Sequence, residues 1–253
     1  MKFDLCIGDV FQGINTIDAI KFAAKSTIPA VEHHCWWEEP LEPVIQAAKN
    51  YNVDIVAIAT YFISITDKSQ HKEYFEGLKR SIDVAKKLNC KMIITQVGDF
   101  LSEVSREQQH QNIVDILAKC VQILRDANMI LAVEPVNDQI EQPGYYLTTS
   151  REAFKIEEEV ASKHVKILFD IYHQQVTEGD LLRNILPNLK RICHFHAANL
   201  PGRHELELGE INYPYIFKQL QNNNYTGYIG LEYSPTCGVE ATLETLQKYN
   251  AVY

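Results

Sequence analysis

The sequence predicts a single-domain α/β protein of the (β/α)₈ TIM barrel class, spanning residues 1–253. Short apolar runs alternate eight times with longer charged segments whose apolar residues recur at helical spacing. Strict alternation of this kind indicates parallel strands that are joined by crossover helices. Eight such units in a chain of 253 residues match the usual size of a closed eight-stranded barrel.

Several predicted helices begin at residues that can cap a helix, namely Thr16, Ser69, Ser105 and Ser150. An open, doubly wound sheet would usually carry a glycine-rich phosphate turn after an early strand, and residues 7–13 lack the G-x-G-x-x-G spacing of such a turn. The closed barrel is therefore the preferred prediction. Its strands are predicted at 3–8, 30–34, 55–60, 92–97, 130–135, 167–171, 192–197 and 228–233, and its helices at 16–26, 41–51, 69–88, 105–127, 150–161, 180–186, 213–223 and 239–249.

The composition argues against several classes of partner. The chain has a net charge of −9 and no run of basic residues, so we expect it to bind neither nucleic acid nor an anionic membrane. No apolar run approaches the roughly 18 residues of a membrane span, and Asp4 interrupts the first run, which argues against a signal peptide. The six cysteines form no C-x-x-C pair, as is typical of reduced thiols. We therefore expect a cytoplasmic protein.

Four consecutive predicted strands end in residues that are costly to bury without a partner. Strands five to eight carry Glu134, Asp170, His196 and Glu232 at their carboxyl ends. Because the carboxyl ends of all strands lie on one face of a parallel barrel, we expect these four side chains to share a site. Any one of them alone could be a hydrogen-bonded structural residue, but four in register favour a functional site.

The chemistry of this set favours a metal ion. Three carboxylates and one imidazole provide an oxygen-rich set of ligands that suits Mg²⁺ or Mn²⁺ before Zn²⁺. The set contains no thiolate, and the absence of a nucleotide-binding turn gives no support to hydride transfer.

The segments around these residues resemble the hydroxypyruvate isomerases, which belong to the xylose isomerase-like TIM barrels. The resemblance follows strand order along the whole chain but is sharp only over residues 134–233. The matching segments are Glu134-Pro135-Val136-Asn137, Phe169-Asp170-Ile171-Tyr172-His173-Gln174, the stretch from His196-Ala197-Ala198-Asn199 through Leu200-Pro201-Gly202-Arg203-His204-Glu205 to Gly209-Glu210-Ile211-Asn212-Tyr213, and Gly230-Leu231-Glu232-Tyr233.

The resemblance implies that Glu134, Asp170, His196 and Glu232 bind one divalent ion, and that Glu134 and Glu232 also form an acid–base pair. The implied reaction converts hydroxypyruvate into tartronate semialdehyde (2-hydroxy-3-oxopropanoate). It removes a proton from C3 and delivers one to C2 through an enediolate, whose charge a metal ion stabilises. Which glutamate acts as the base and which as the acid stays open at this point.

The resemblance to related epimerases also implies that His173 and Arg203 bind substrate oxygens. Arg203 suits a two-pronged hold on a carboxylate, which hydroxypyruvate has. The structural alternatives are an ion pair of Arg203 with Glu205 or Glu210, and a strand-end hydrogen bond for His173. Further candidates for substrate binding are His204, Glu32 and Gln96, and His194 is expected to pack inside the barrel.

Three other functions remain as alternatives. A ketose 3-epimerase or another small-sugar isomerase would share the fold, the metal ion and the acid–base pair. A DNA repair enzyme like endonuclease IV would need histidines where this chain has Thr60 and Gln96, and an Asp-x-His motif where it has Gly202-Arg203-His204. A non-catalytic sugar binder would not need paired carboxylates. We thus expect a small hydroxy-keto acid or sugar as substrate, and the resemblance is compatible with a homo-oligomer.

Overall fold

Eight parallel strands form a closed barrel in the computed structural model, which describes residues 1–252. The strands are hydrogen-bonded in chain order, and the eighth pairs with the first. The predicted (β/α)₈ class is therefore confirmed. The strands are β1 (Lys2–Cys6), β2 (Ala30–His33), β3 (Asp54–Ala59), β4 (Met92–Thr95), β5 (Ile130–Val133), β6 (Val165–Asp170), β7 (Ile192–Ala197) and β8 (Tyr228–Leu231).

Helices separate the strands. Two helices directly continue a strand, at positions where the sequence analysis predicted no helix. These are α1 and α7, which begin at Ile7 and Ile171. The helices are α1 (Ile7–Val10), α2 (Thr16–Lys25), α3 (Leu41–Tyr51), α4 (His71–Lys87), α5 (Arg106–Ala127), α6 (Ser150–Val160), α7 (Ile171–Thr177), α8 (Leu181–Ile185), α9 (Tyr213–Asn222) and α10 (Val239–Val252), with 3₁₀ turns at Trp36–Glu38, Lys68–Gln70 and Leu186–Arg191.

Three of the four predicted helix caps lie at or next to the observed ones, whereas Ser69 lies within a 3₁₀ turn and Gln70 precedes α4. Ser105 caps α5, as predicted. Two caps lie one residue earlier than predicted, because the side chains of Asn15 and Thr149, and not those of Thr16 and Ser150, accept the first main-chain N–H groups of α2 and α6. Such caps satisfy donors that a helix cannot satisfy internally, and they fix where each helix begins.

The chain comprises two compact units. The first contains Met1–Ile58 and the residues from His194 onward, and the second contains Ala59–Cys193. Within the first unit β1 pairs with β2 and β8, and β7 pairs with β8. Within the second unit β5 pairs with β4 and β6. The prediction of a single domain over residues 1–253 stays a prediction.

The strands consist largely of buried apolar residues, such as Leu5 and Val31 in the first unit and Leu131 and Ile167 in the second. Near-continuous apolar runs are typical of parallel strands, since helices cover one face of the sheet and side chains fill the barrel behind the other. The exceptions in the first unit are five buried polar residues on β1, β2 and β7, namely Asp4, Glu32, His33, His194 and His196.

Among the residues that the structure describes, no helix has both the length and the apolar character required to cross a bilayer.

Two glycines with the same φ provide a matched test of packing in the second unit. Gly98 and Gly144 both have a φ of +93°. A Cβ added at Gly98 would lie 2.1 Å from Oγ of Ser64, whereas one added at Gly144 would meet nothing within 4 Å. We expect Gly98→Ala to lower the free energy of unfolding by about 1–3 kcal/mol more than Gly144→Ala, because overpacking adds to the backbone strain that both share. Urea denaturation measures both losses, and equal losses would contradict the expectation.

Candidate active site

Three polar side chains meet in the second unit at the carboxyl ends of β5 and β6. Glu134 directly follows β5, Asp170 is the last residue of β6, and His173 lies in the first turn of α7. One ligand atom from each lies within 4.8 Å of the others, and all three residues are buried. The structure thus brings together three of the predicted site residues, whose roles stay predictions.

Hydrogen bonds fix the orientation of His173. The side-chain amide of Asn137 donates to Nδ1 of His173 over 2.7 Å, because the oxygen of the same amide accepts from the main-chain N–H groups of Ile140 and Glu141. The imidazole therefore carries its proton on Nε2, which lies 3.4 Å from Oδ2 of Asp170. Asp170 also caps α7 by accepting from the main-chain N–H of His173.

Gln96 lines a cavity of about 460 Å³ in the second unit. Its side-chain oxygen accepts a hydrogen bond from Gln142, which also lines the cavity, over 3.3 Å. Tyr145 forms another part of the wall and ties the cavity to β5, since its hydroxyl donates to the main-chain oxygen of Glu134. Gln96 therefore faces open space large enough for a small molecule, and its binding of substrate stays a prediction.

In the first unit, His196 and Glu232 lie side by side at the ends of β7 and β8. Nδ1 of His196 is 3.1 Å from Oε2 of Glu232. Arg203 donates a hydrogen bond to the same carboxylate oxygen, so that Glu232 is an acidic partner of this arginine. The two remaining members of the predicted ligand set are therefore adjacent within this unit.

The charges around Glu232 keep it ionised. Burial raises the pKa of its carboxyl, but Arg203 and then His196 outweigh burial and hold that pKa well below its usual range. Burial likewise lowers the pKa of His196, but the carboxylates of Glu232 and Glu32 outweigh it and raise that pKa well above its usual range. The pair is therefore an ionised carboxylate beside an imidazole that readily carries positive charge.

Glu32 lies among three imidazoles of the first unit. Nε2 of His194 is 2.6 Å from its Oε1, and Nε2 of His34 is 2.7 Å from its Oε2. Nε2 of His196 is 3.3 and 3.2 Å from the two oxygens. His194 is buried inside the barrel, as the sequence suggested, but it is part of this polar cluster and does not merely fill space.

The segment that carries Arg203 and His204 is held by hydrogen bonds to the residues that follow β8. Nδ1 of His204 donates to the main-chain oxygen of Ser234 over 2.7 Å, and the main-chain N–H of Ser234 donates to the oxygen of Arg203 over 2.8 Å. Glu205 is buried and accepts from the main-chain N–H of Thr236. These contacts place Arg203 beside Glu232.

Asn199 organises the same segment from within. Its side-chain amide donates to the main-chain oxygens of Leu206 and Ile211, and its side-chain oxygen accepts from the N–H groups of Leu200 and Ile211 at 2.9 Å each. The residue is fully buried. One side chain therefore satisfies four main-chain groups that secondary structure leaves without partners.

Sequence reasoning did not identify Asp9 as a neighbour of the site, and it did not predict that His34 carries a charge. One ligand atom each from Asp9, His34 and Glu232 lies within 4.8 Å of the others. Burial and then the carboxylate of Glu232 raise the pKa of Asp9 to about 6. The hydrogen bond from His34 to Glu32 outweighs burial and raises the pKa of His34 to about 9. Asp9 follows the first strand, so the rule that singled out the other strand ends could have found it.

Removal of the Asn199 side chain tests how firmly this segment is held. We expect Asn199→Ala to speed amide hydrogen exchange at Leu200 and Ile211 by about fivefold or more, since each loses a hydrogen bond worth about 1 kcal/mol. Hydrogen–deuterium exchange measured by NMR checks this. The control is Asn223→Ala, which removes an exposed side chain at the end of α9 and should leave both amides unchanged. Unchanged exchange in Asn199→Ala would show that the segment is held by other contacts.

Comparison with known proteins agrees with this architecture. The family model described as xylose isomerase-like TIM barrel matches residues 17–249. The hydroxypyruvate isomerase of Escherichia coli (strain K12) is 35% identical over 180 residues, which cover 71% of this chain and 69% of that protein. The 2-oxo-tetronate isomerase of Cupriavidus necator is 31% identical over 176 residues, 69% of this chain and 67% of that protein.

A solved structure shows the same fold. The AP endonuclease family 2 protein from Brucella melitensis superposes with a TM-score of 0.93 at 22% identity, over 98% of this chain and 99% of that one. The comparisons confirm the barrel, the family and the isomerase class that the sequence predicts. The chain belongs to the hydroxypyruvate isomerase family of the xylose isomerase-like TIM barrels.

Proposed function

We propose that the protein interconverts hydroxypyruvate and tartronate semialdehyde by moving a proton through an enediolate. The observation that carries the proposal is the environment of Glu232, a buried carboxylate that Arg203 and His196 hold in its ionised form. The ionised form is the protonation state that a carboxylate needs in order to accept a proton as a general base. The relatives named as isomerases of hydroxypyruvate and of 2-oxo-tetronate support the choice of a small keto acid as substrate.

Four residues would hold a divalent ion, and Mg²⁺ or Mn²⁺ would suit them better than Zn²⁺. They are Glu134, Asp170, His196 and Glu232. Ligand atoms of an octahedral ion at 2.0–2.1 Å lie about 3 Å apart, and Nδ1 of His196 and Oε2 of Glu232 are 3.1 Å apart. The oxygen-rich set also suits these ions. When bound, the ion would supply a Lewis acid that stabilises negative charge on the substrate oxygens.

The residues of the chain would move the proton. In a parallel barrel the carboxyl ends of β5 and β8 belong to the same face, and we assign Glu134 and Glu232 as the acid–base pair. One carboxylate removes the proton from C3, and the other delivers a proton to C2. The C3 hydroxyl loses its proton as it becomes the aldehyde, the C2 oxygen takes one up as it becomes a hydroxyl, and proton exchange with solvent returns both carboxylates to their starting state. Either can begin the transfer, because the reaction runs in both directions through the same enediolate.

Arg203 would hold the carboxylate of the substrate. A guanidinium matches the two oxygens of a carboxylate, and Arg203 lies directly beside Glu232. A substrate carboxylate held there would bring the neighbouring carbons close to the base. We keep His173, His204 and Gln96 as further residues for binding substrate oxygens.

A 2-oxo-tetronate is the second candidate substrate, since a relative at 31% identity is named for that activity. It has the same carboxylate and keto group and is one carbon longer, so Arg203 would serve both. A ketose for 3-epimerisation lacks the carboxylate. We further expect the enzyme to act in the cytoplasm. The proposed function is compatible with assembly into a homo-oligomer.

Proton NMR in D₂O distinguishes these substrates. The protein is mixed in turn with hydroxypyruvate, with a 2-oxo-tetronate and with a ketose such as fructose. Each mixture is measured twice, once with Mg²⁺ added and once after a chelator has removed divalent ions. Formation of tartronate semialdehyde with deuterium on carbon, in the ion-loaded sample alone, would support the proposal. Exchange only on the ketose would replace it by an epimerase, and exchange on none would favour a non-catalytic binder.

Replacement of the proposed base tests the acid–base assignment. We expect Glu232→Gln to fold and to reduce turnover by at least about two orders of magnitude, because the amide cannot accept the proton. Steady-state kinetics on hydroxypyruvate, with circular dichroism as a check of folding, measure the effect. The control is Glu240→Gln on the exposed side of α10, which should leave turnover unchanged. Near-normal turnover in Glu232→Gln would refute the assignment.

Replacement of Arg203 tests recognition of the carboxylate. We expect Arg203→Ala to raise KM for hydroxypyruvate by about tenfold to a hundredfold, since a hydrogen bond to a charged group is worth about 1.5–3 kcal/mol. Arg183→Ala removes the same charge from an exposed site on α8 and should leave KM unchanged. An unchanged KM in Arg203→Ala would show that the substrate carboxylate binds elsewhere.

A further inference from the structure

Glu32 is a buried carboxylate that lies among three imidazoles of the first unit. Glu32 is only 1% exposed. Nε2 of each of the three histidines lies 2.6–3.3 Å from its carboxylate oxygens. An ionised carboxylate can only accept hydrogen bonds. The short contacts from His194 and His34, and the paired contacts from His196, therefore require a proton on Nε2 of each ring.

His196 has different partners on its two ring nitrogens. Nε2 faces both oxygens of Glu32 at 3.2 and 3.3 Å, and Nδ1 lies 3.1 Å from Oε2 of Glu232. Because Nε2 keeps its proton toward Glu32, Nδ1 is the nitrogen that can give up a proton and offer a lone pair to an ion. Cys6 also approaches Nε2, but its sulfur is 3.9 Å away and is a much weaker partner than a carboxylate.

The residue at position 230 leaves room for the contact between Glu32 and His196. Gly230 on β8 lies against it, and a Cβ at this position would come within 2.6 Å of Oε1 of Glu32 and 2.8 Å of Cδ2 of His196. Asp4 is also close, with Oδ1 3.1 Å from that Cβ position and Oδ2 3.7 Å from Nε2 of His194. Both His196 and Glu32 are thus confined by their surroundings.

We propose that Glu32 is a positioning residue for His196. It accepts the hydrogen bond from Nε2, fixes the ring orientation and directs the lone pair of Nδ1 to the place where a divalent ion would bind beside Glu232. The inference rests on the proposed function, since it concerns the same ion. It gives Glu32 a role through His196, and the binding of substrate by Glu32 stays a prediction.

Such carboxylate–histidine contacts matter for affinity, because they lock the ring and raise the basicity of the ligating nitrogen. Loss of an outer partner of this kind typically weakens metal binding by about 10- to 100-fold. In Glu32→Gln, one of the two oxygens that face Nε2 of His196 becomes an NH₂ group, which cannot accept that proton. The carboxylate charge that favours the Nε2–H form is lost at the same time.

The first measurement is the affinity for Mn²⁺, determined by titration calorimetry on the wild type, Glu32→Gln and a matched control. The control is Glu157→Gln, which removes a buried carboxylate that pairs with Lys166 and Arg191 on the second unit. We expect Mn²⁺ binding to weaken by about 10- to 100-fold in Glu32→Gln and to stay within about threefold of the wild type in Glu157→Gln. Equal weakening in both variants would overturn the inference in favour of a general loss of stability.

The second measurement needs no variant and therefore stands if Glu32→Gln fails to fold. Nitrogen-15 NMR of the imidazoles in the wild-type protein, free of metal and loaded with Mg²⁺, identifies which ring nitrogens carry protons. We expect Nε2 of His196 to be protonated in both samples and Nδ1 to be unprotonated in the loaded one. An unprotonated Nε2 in either sample would overturn the inference.

The outcomes separate the two proposals. A wild type that binds no divalent ion would remove the proposed metal site, whereas the protonation of Nε2 would still report on Glu32. Normal Mn²⁺ affinity in Glu32→Gln would remove the role of Glu32 and leave the proposed function intact.

Discussion

The cost of burying charge governs the first unit of this barrel. Glu32 and Glu232 are carboxylates removed from water, and an isolated buried charge costs several kcal/mol unless partners compensate it. His34, His194 and His196 compensate Glu32, and His196 with Arg203 compensates Glu232. His196 belongs to both groups, so neither carboxylate can change its charge without affecting the other. Removing one member leaves an uncompensated charge on its neighbour.

This dependence extends into the main chain. Arg203 lies on an irregular segment, and its position beside Glu232 requires that segment to keep one conformation. Asn199 satisfies the main chain from within, and the hydrogen bond from His204 to Ser234 ties the segment to the end of β8. A loop normally gains mobility from its solvated main chain, whereas this one is held by buried polar contacts. Its rigidity and the ionisation of Glu232 are therefore parts of the same arrangement.

The sequence predicted most of the fold because the signal for it is local. Apolar runs and helical spacing located all eight strands and most helices, and the polar strand ends identified His196 and Glu232 as neighbours within the first unit. It missed α1 and α7, because a short helix that continues a strand has no periodicity of its own. It could not pair Arg203 with Glu232, since 29 residues separate them in sequence. The alternatives Glu205 and Glu210 were simply nearer along the chain.

The strands and the loops of such a barrel have separate tasks, and Arg203 is an exception. Strand ends fix the ionisable groups, whereas loops select the substrate, so related barrels change substrate without changing their chemistry. Arg203 lies on a loop, yet it lowers the pKa of the carboxylate at the end of β8. A loop change that removed this guanidinium to admit a substrate without a carboxylate would also raise the pKa of Glu232. Divergence toward uncharged sugars would then require another cation near Glu232. The residue at position 203 is therefore the one in which we expect relatives with different substrates to differ.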